Sequence, residues 1–391
     1  MIDIVLVTYI LLFIISFILM KDIFHPSAIV SGMWAFLLLL YKVCDHPLWN
    51  LSDKFFLALN LWVIPFVFCC LIVSKQQWHF ECSKKCRPFN LKRYNHYFPV
   101  ALIYSIVFVL AFALYGGSFS IVDTKSVISK ENIPLTITLL LYLNTLMTVY
   151  VFYGVLNHEK VGMTKVWIIF LFLLFMSVFK GNKTSFLSVF IGLFFILKNK
   201  GQLRVKYILG GVTALILLLI WISVGRSDYN WEKDSAVMDF LYIYFLSPLP
   251  SFDMILHHEW NLNPGSPMSA TFSFFYKIFN VFGANYEIAE LGDWVSVPLP
   301  NNVFTTLRPF YVDGGFVWIT VMACVLGTIW GILYTLQKQG SVVFTVFYAT
   351  MVSSLFFQSF DDYFFRDLSI VIQYYFFSVF MVRGFKMSVS R

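Results

Sequence analysis

Charged residues are scarce in this chain. Only 13% of its 391 residues are Asp, Glu, Lys or Arg, whereas 59% are apolar and 20% are aromatic. A soluble globule of this size needs many more polar side chains to cover its surface. The composition therefore excludes a soluble domain and predicts an integral membrane protein.

Strand-length alternation of apolar and polar residues is also missing, which argues against a membrane β-barrel. The apolar residues instead form runs of about 17 to 24, long enough to cross roughly 30 Å of hydrocarbon as helices. We predict an all-α polytopic fold with eleven spans, near residues 2–20, 26–43, 55–74, 97–115, 134–156, 166–180, 184–197, 207–224, 314–336, 342–360 and 368–383. The short sixth and seventh spans also fit two partly re-entrant helices.

Cysteine is rare as well, with six residues in the whole chain. Cys82 and Cys86 lie near His79 and form half of a zinc-site pattern, but the second pair that a structural zinc site requires is missing. We therefore expect reduced thiols, no metal and no cofactor.

The basic residues indicate the orientation of the spans. Two loops are strongly basic: residues 75–96 carry six Lys or Arg against Glu81, and residues 198–206 carry four with no acid. Because Lys and Arg collect in cytoplasmic loops, both should lie inside, which leaves the N-terminus outside and the C-terminus inside. The positive charge thus reflects membrane topology and gives no support for nucleic-acid binding.

The spans divide the chain into three parts. Residues 1–224 hold the first eight spans, 225–313 form one long external segment, and 314–391 hold the last three spans. Within the external segment, 236–247 and 267–283 are apolar yet too short or interrupted to cross a bilayer. They fit helices that lie on the membrane surface or cover a cavity, or segments packed on the helix bundle.

Five cations stand at the outer ends of spans, against the bias of Lys and Arg for the inside: Lys180, Lys183, Arg226, Arg308 and Arg366. Such a set fits a pyrophosphate, because Arg contacts phosphate oxygens in a bidentate way. The chain has no Asp-x-Asp that would hold a divalent metal. Fixed cations would then stabilise the leaving group. Alternatively, the lysines reach lipid headgroups and Arg366 pairs with Asp361, Asp362 or Asp367.

The run from Pro300 to Gly315, PNNVFTTLRPFYVDGG, resembles the signature of the Wzy-type O-antigen and capsular repeat-unit polymerases. In that family an Asn-Val-x-Thr stretch is followed by Tyr-x-Asp-x-Gly at the start of a span. The KGNKTSF turn at 180–186 resembles the family's Gly-x-Arg turn, with Lys183 where Arg is more usual. Since Lys cannot reproduce a bidentate phosphate contact, this departure weakens the expectation for Lys183.

The resemblance implies a metal-independent, GT-C-like glycosyltransferase at the periplasmic face of the inner membrane. It would join undecaprenyl-pyrophosphate-linked glycans as donor and acceptor among membrane lipids, with a chain-length regulator as a further partner. The five cations would bind pyrophosphate, with the three arginines foremost. The base would be Asp313, His257, His258 or Glu259, and Tyr311, Tyr363 and Trp294 would stack on sugars.

Simpler roles stay open for these side chains. Asp313 fits a helix N-cap, the histidines fit an exposed loop, and the aromatic residues fit an interfacial belt. An O-antigen ligase, which transfers finished glycan to lipid A core, is the alternative enzyme, because such a ligase is expected to carry a His in its large loop. A flippase is disfavoured, since ionisable residues gather at one face and no internal repeat is visible.

Overall fold

The computed structural model describes residues 1–76, 89–116, 134–179, 183–203, 242–257, 265–289, 291, 294–298 and 300–383. Its α-helices are α1 (Ile2–Met20), α2 (Pro26–Val43), α3 (Asp53–Lys75), α4 (Leu91–Gly116), α5 (Leu135–Leu156), α6 (His158–Val161), α7 (Met163–Phe179), α8 (Lys183–Asn199), α9 (Pro248–Leu256), α10 (Ser273–Val281), α11 (Leu307–Lys338), α12 (Val342–Met351), α13 (Ser353–Phe356) and α14 (Leu368–Arg383). A π-helical turn spans Tyr242–Leu246. Two-residue strands, β1 (Val295–Ser296) and β2 (Pro300–Asn301), pair antiparallel.

The apolar runs form helices, as the composition predicts. Among the described residues, α1, α2, α3, α4, α5 and α11 are long and apolar enough to cross a membrane, and four shorter apolar helices accompany them. Local signals set some boundaries: the Ser52 hydroxyl accepts from the Phe55 amide at the start of α3, and Pro26 opens α2. The protein is therefore an all-α polytopic membrane protein. The predicted span at 207–224 lies outside the described residues.

Two predicted spans differ in detail from the structure. The span expected from residue 314 begins at Leu307, and its helix is broken at Gly314 and Gly315. Gly315 has a φ of 60° and a ψ of −150°, a conformation open essentially to glycine alone. The span expected over 342–360 ends as helix α12 at Met351, and after the short α13 the chain turns through 357–360.

The helical chain folds into two compact units. The first contains Met1–Phe80, Trp231–Thr335 and Ser354–Ser369. In it, α11 packs closely on α3 through two glycines one helical turn apart: a Cβ on Gly327 would overlap the Phe66 carbonyl oxygen, and one on Gly331 would lie 2.9 Å from that of Cys70. Small residues at this spacing let two helix backbones approach in a membrane.

The second unit contains Glu81–Asn230, Leu336–Ser353 and Ile370–Arg391. Tyr94 and Tyr150 stack in its core at 4.3 Å between ring centroids. Gly192 of α8 lies against the Ala349 carbonyl of α12, again without room for a Cβ. Most of the described candidate site residues belong to the first unit.

Candidate functional site

The first unit holds seven of the predicted site residues: His257, Trp294, Arg308, Tyr311, Asp313, Tyr363 and Arg366. Lys183 is the first residue of α8, in the second unit, as its predicted place at a helix start requires. Four others, Lys180, Arg226, His258 and Glu259, lie outside the described residues, as do His79, Cys82 and Cys86.

Asn301, in the signature run, organises the backbone before α11. Its amide oxygen accepts from the Val303 amide at 3.1 Å, and its amide nitrogen donates to the Ser251 hydroxyl of α9 at 2.8 Å. The side chain is 2% exposed. Asn commonly turns the backbone in this way, because its short side chain reaches the amide two residues on. Asn301 therefore fixes this turn against α9.

Arg308 is the second residue of α11 and is 2% exposed. Its Nη1 donates to the Leu291 carbonyl at 2.9 Å, and its guanidinium lies over the Phe304 ring at 3.8 Å from the centroid. A planar guanidinium suits such stacking, which Lys would not reproduce. The arginine of the signature run is therefore packed within the protein.

Asp313 precedes the break in α11 and binds a neighbouring loop. Its two carboxylate oxygens accept from the backbone amides of Ala270 at 3.1 Å and Thr271 at 2.6 Å. The Trp318 indole donates to the Thr271 hydroxyl at 3.2 Å. The Asp313 carboxylate therefore binds the loop before α10 to the N-terminal part of α11.

Of the three predicted sugar-stacking residues, Tyr311 packs against α9, with its ring 6.1 Å from that of Phe252. Tyr363 contacts Phe357 at 5.8 Å between ring centroids. Trp294 precedes β1 and is 62% exposed. Trp294 is therefore the most accessible of these three rings to a ligand.

Arg366 lies in the turn between α13 and α14 and pairs with Asp361. The alternative expectation of a carboxylate partner for Arg366 is therefore confirmed. Burial favours the neutral form of the guanidinium, but Asp361 and the two carboxylates nearby outweigh it and raise the pKa of Arg366. A phosphate bound to Arg366 would compete with a carboxylate already in place.

Asp362 shapes the same turn. Its carboxylate accepts from the backbone amides of Phe364 at 3.0 Å, Phe365 at 3.1 Å and Arg366 at 3.3 Å. Burial raises the pKa of Asp362 to about 7, although these hydrogen bonds favour its charged form. Burial and the nearby Asp361 raise the pKa of Asp367 to about 6. The turn therefore contains two carboxyl groups that change charge near neutral pH.

Gln358 connects the two arginine-bearing segments. Its backbone carbonyl accepts from the Thr306 amide at 2.7 Å, two residues before Arg308. Its side-chain oxygen accepts from the indoles of Trp34 at 3.1 Å and Trp62 at 3.0 Å. Gln358 was missed from the sequence, because Trp34 and Trp62 lie 324 and 296 positions away in the chain and no local pattern points to them.

Asp253 was also missed. It is 6% exposed and accepts from the Ser52 amide at 2.7 Å and the Ser52 hydroxyl at 2.5 Å, which joins α9 to the start of α3. Its Oδ1 lies 3.8 Å from His257 Nε2. The available signal was its position four residues before His257, a spacing that puts two side chains on one face of a helix.

Within the part of the chain that the structure describes, no cluster of three or more His, Cys, Asp or Glu side chains is arranged to hold a metal ion. The charged side chains that the structure describes here are the guanidinium groups of Arg308 and Arg366 and the neighbouring Asp253 and His257.

The fold defines a multi-pass, all-α membrane protein, and within residues 300–315 the side chains of Asn301, Arg308 and Asp313 bind α9, the Leu291 carbonyl and the loop before α10. Residues 4–357 match the family model described as "Putative O-antigen polymerase". The chain belongs to this O-antigen polymerase family, and the resemblance seen in the sequence is confirmed. An Escherichia coli (strain K12) protein of the same description is 20% identical over 403 residues, covering 95% of each chain. No solved structure matches the chain.

Proposed function

We propose that this protein joins undecaprenyl-pyrophosphate-linked oligosaccharide repeat units into longer glycans at the periplasmic face of the inner membrane. Membership of the O-antigen polymerase family supports polymerase activity of the glycosyltransferase type. The lipid carrier, the membrane face and the residue roles are parts of the proposal.

In the proposed reaction, a hydroxyl of the acceptor sugar attacks the anomeric carbon of the donor glycan. A new glycosidic bond forms, the bond from that carbon to the pyrophosphate oxygen breaks, and the hydroxyl proton passes to a base. Negative charge grows on the departing pyrophosphate, so preorganised cations lower the barrier. Undecaprenyl pyrophosphate leaves.

The observation that carries the proposal is the hydrogen bond from the Thr306 amide to the Gln358 carbonyl. It joins the segment of Arg308 to the turn of Arg366, two arginines far apart in the chain. We assign the pyrophosphate to these two guanidinium groups. Arg366 would exchange Asp361 for phosphate, as charge-assisted pairs do when a more highly charged anion arrives.

For the base we favour His257. Its side chain is 39% exposed and lies beside the buried Asp253 carboxylate, so it can reach a substrate and accept a proton. Both oxygens of Asp313 are already hydrogen-bonded to backbone amides. We therefore assign Asp313 to positioning the loop at residues 265–272.

Alanine and lysine variants of Arg366 test the assignment in cells that depend on this protein for long glycans. Arg366→Ala should reduce long-chain product by about 100-fold or more, as loss of one transition-state donor does. Arg366→Lys should restore part of it, because Lys keeps the charge without the bidentate contact. Lys42→Ala is the matched control, since Lys42 forms an exposed ion pair with Asp3 in the same unit.

The control should leave the distribution of glycan lengths, seen as a ladder of bands on a gel, unchanged. All variants should reach the same level in the membrane. A full ladder from Arg366→Ala would remove this arginine from the proposed site. Arg308→Lys is the companion variant for the buried arginine and should shorten the ladder while the protein still accumulates.

Ligase activity is the second candidate, favoured by the exposed His257 in the loop. A ligase would place finished glycan on lipid A core and would not lengthen it. The two activities separate in a strain without any other ligase: a polymerase accumulates long lipid-linked chains there. Long chains attached to lipid A core in that strain would identify a ligase instead.

A further inference from the structure

Helix α10 presents aromatic side chains outward. Phe275 is 43% exposed, Phe279 is 49% exposed and Phe282, just past the helix end, is 84% exposed. Their spacing of four and three residues puts them on one face. Val281 beside them is also 84% exposed. Surface this apolar needs a covering partner, because water is a poor solvent for it.

The two residues just before α10 fix its position along α11. Phe272, immediately before α10, contacts Trp318 of α11 at 6.4 Å between ring centroids. Thr271 binds both Asp313 and Trp318. The start of α10 therefore lies beside the N-terminal part of α11.

The same end of α11 carries exposed apolar side chains that belong to its membrane-crossing face. Val317 is 75% exposed, Val321 is 40% exposed and Val325 is 39% exposed, at intervals of four residues along one side. On a membrane-crossing helix such a stripe faces lipid. Phe272 and Thr271 contact Trp318, the residue after Val317, so the start of α10 lies at the level where this stripe begins.

The rest of α10 supports an interfacial position. Its one charged residue, Lys277, lies close enough to Asp367 to oppose part of the rise in that carboxyl's pKa, so its charge lies near the protein's own acidic turn. The C-terminal end of α10 is held by its side chains: Asn280 forms two hydrogen bonds of 2.9 Å with the backbone of Tyr286. Tyr276 packs on Tyr286 at 5.2 Å between centroids. The exposed aromatic face therefore has a fixed shape.

We propose that Phe275, Phe279 and Phe282 insert into the headgroup and acyl-chain boundary of the bilayer leaflet at this end of α11. With the orientation expected from the basic loops, this is the outer leaflet. Aromatic rings concentrate at this depth, and an amphipathic helix lies there with its apolar face in the lipid. The helix would hold the loop that Asp313 fastens at the depth of lipid headgroups.

Photo-crosslinking in native membranes tests the occupant directly. Phe282 is replaced by benzoylphenylalanine, an aromatic of similar character, and irradiated products are separated into lipid and protein adducts by mass spectrometry. Val317→benzoylphenylalanine is the control for a lipid-facing site. Glu287→benzoylphenylalanine is the control for an exposed position on the same loop. Phe279→benzoylphenylalanine gives a second probe if the first variant fails to accumulate.

We expect phospholipid adducts at Phe282 and Phe279 in yields like those at Val317, and at least ten-fold above Glu287. Adducts to this chain or to a second copy would overturn the proposal, because protein would then cover the face. Lipid yields no higher than at Glu287 would overturn it as well. The readout needs no glycosyl transfer, so its result is independent of the proposed function.

Discussion

Two parts of the segment between α9 and the middle of α11 behave in opposite ways. In the signature run, residues 300–315, the polar side chains of Asn301, Arg308 and Asp313 turn inward and bind backbone groups. In residues 273–286, the apolar rings of Phe279 and Phe282 turn outward. A soluble protein would show the reverse distribution.

The difference separates two kinds of information in the sequence. The signature run identifies the family, and the structure shows that much of it builds a junction among α9, the loop before α10 and the turn after α13. The aromatic stretch carries no signature, yet it is the part that is available to a partner. A residue of a family signature can act by holding the backbone, as the hydrogen bonds of Asp313 to the Ala270 and Thr271 amides do.

Gln358→Leu should cause the largest disturbance of the inward-facing junction. It leaves two buried indole N–H groups without their acceptor, at about 1–3 kcal/mol each. Gln358→Glu should restore both protein level and ladder length in part, because a carboxylate accepts both indoles. Gln373→Leu, which loses a single hydroxyl donor, is the control. The check is the apparent melting temperature in detergent together with the glycan ladder.

If Gln358→Leu shortens the glycans but leaves the melting temperature unchanged, Gln358 positions the site and does not stabilise the fold. Equal behaviour of Gln358→Leu and Gln373→Leu would contradict the role assigned to the paired indoles.

Asp313→Ala should come next, with a loss of about 2–3 kcal/mol, since two backbone amides lose a charged acceptor that is only partly screened by water. Asp313→Asn keeps one acceptor and should retain measurable polymer, whereas a catalytic base replaced by Asn would leave almost none. Activity of Asp313→Asn no better than that of Asp313→Ala, at equal protein level, would favour the base. Glu287→Ala is the outward-facing control.

Gly315→Ala should cost about 1–3 kcal/mol, because its φ of 60° is strained for any residue with a Cβ. Open space surrounds the position, so the cost is one of backbone conformation. Val317→Ala, two residues on and exposed, should leave the melting temperature nearly unchanged. A wild-type melting temperature for Gly315→Ala would mean that the helix break relaxes without penalty.

The acidic turn should make the stability of the protein depend on pH, by about 1.4 kcal/mol for each pH unit of the window. Because burial raises the pKa of Asp362 from 3.8 to about 7, the folded protein keeps a proton between about pH 4 and 7 that the unfolded chain has lost. The free energy of unfolding should therefore fall as pH rises through this window and level off above it. Asp362→Asn should flatten part of this slope in melting curves from pH 5 to 8. An unchanged slope would place the titrating group elsewhere.

Much of the fold was predictable from hydropathy, because each membrane-crossing helix corresponds to its own apolar run in the sequence. Ten of the eleven predicted segments are helices in the structure, with α12 and α13 together representing one of them. The Gly314–Gly315 pair was visible in the sequence, but the helical turn before it was not expected. Single-sequence reasoning could not find the contacts of Gln358 with Trp34 and Trp62, or of Asp313 with Thr271, since these pairings depend on the packing of distant helices.

The most direct test of the proposed function uses purified protein in liposomes with a lipid-linked single repeat unit as the only glycan. We expect a ladder of longer lipid-linked glycans and one undecaprenyl pyrophosphate released for each new glycosidic bond, with both products lost together in Arg366→Ala. Transfer of glycan only when lipid A core is added, or ladder formation that is unchanged in Arg366→Ala, would contradict the proposed function.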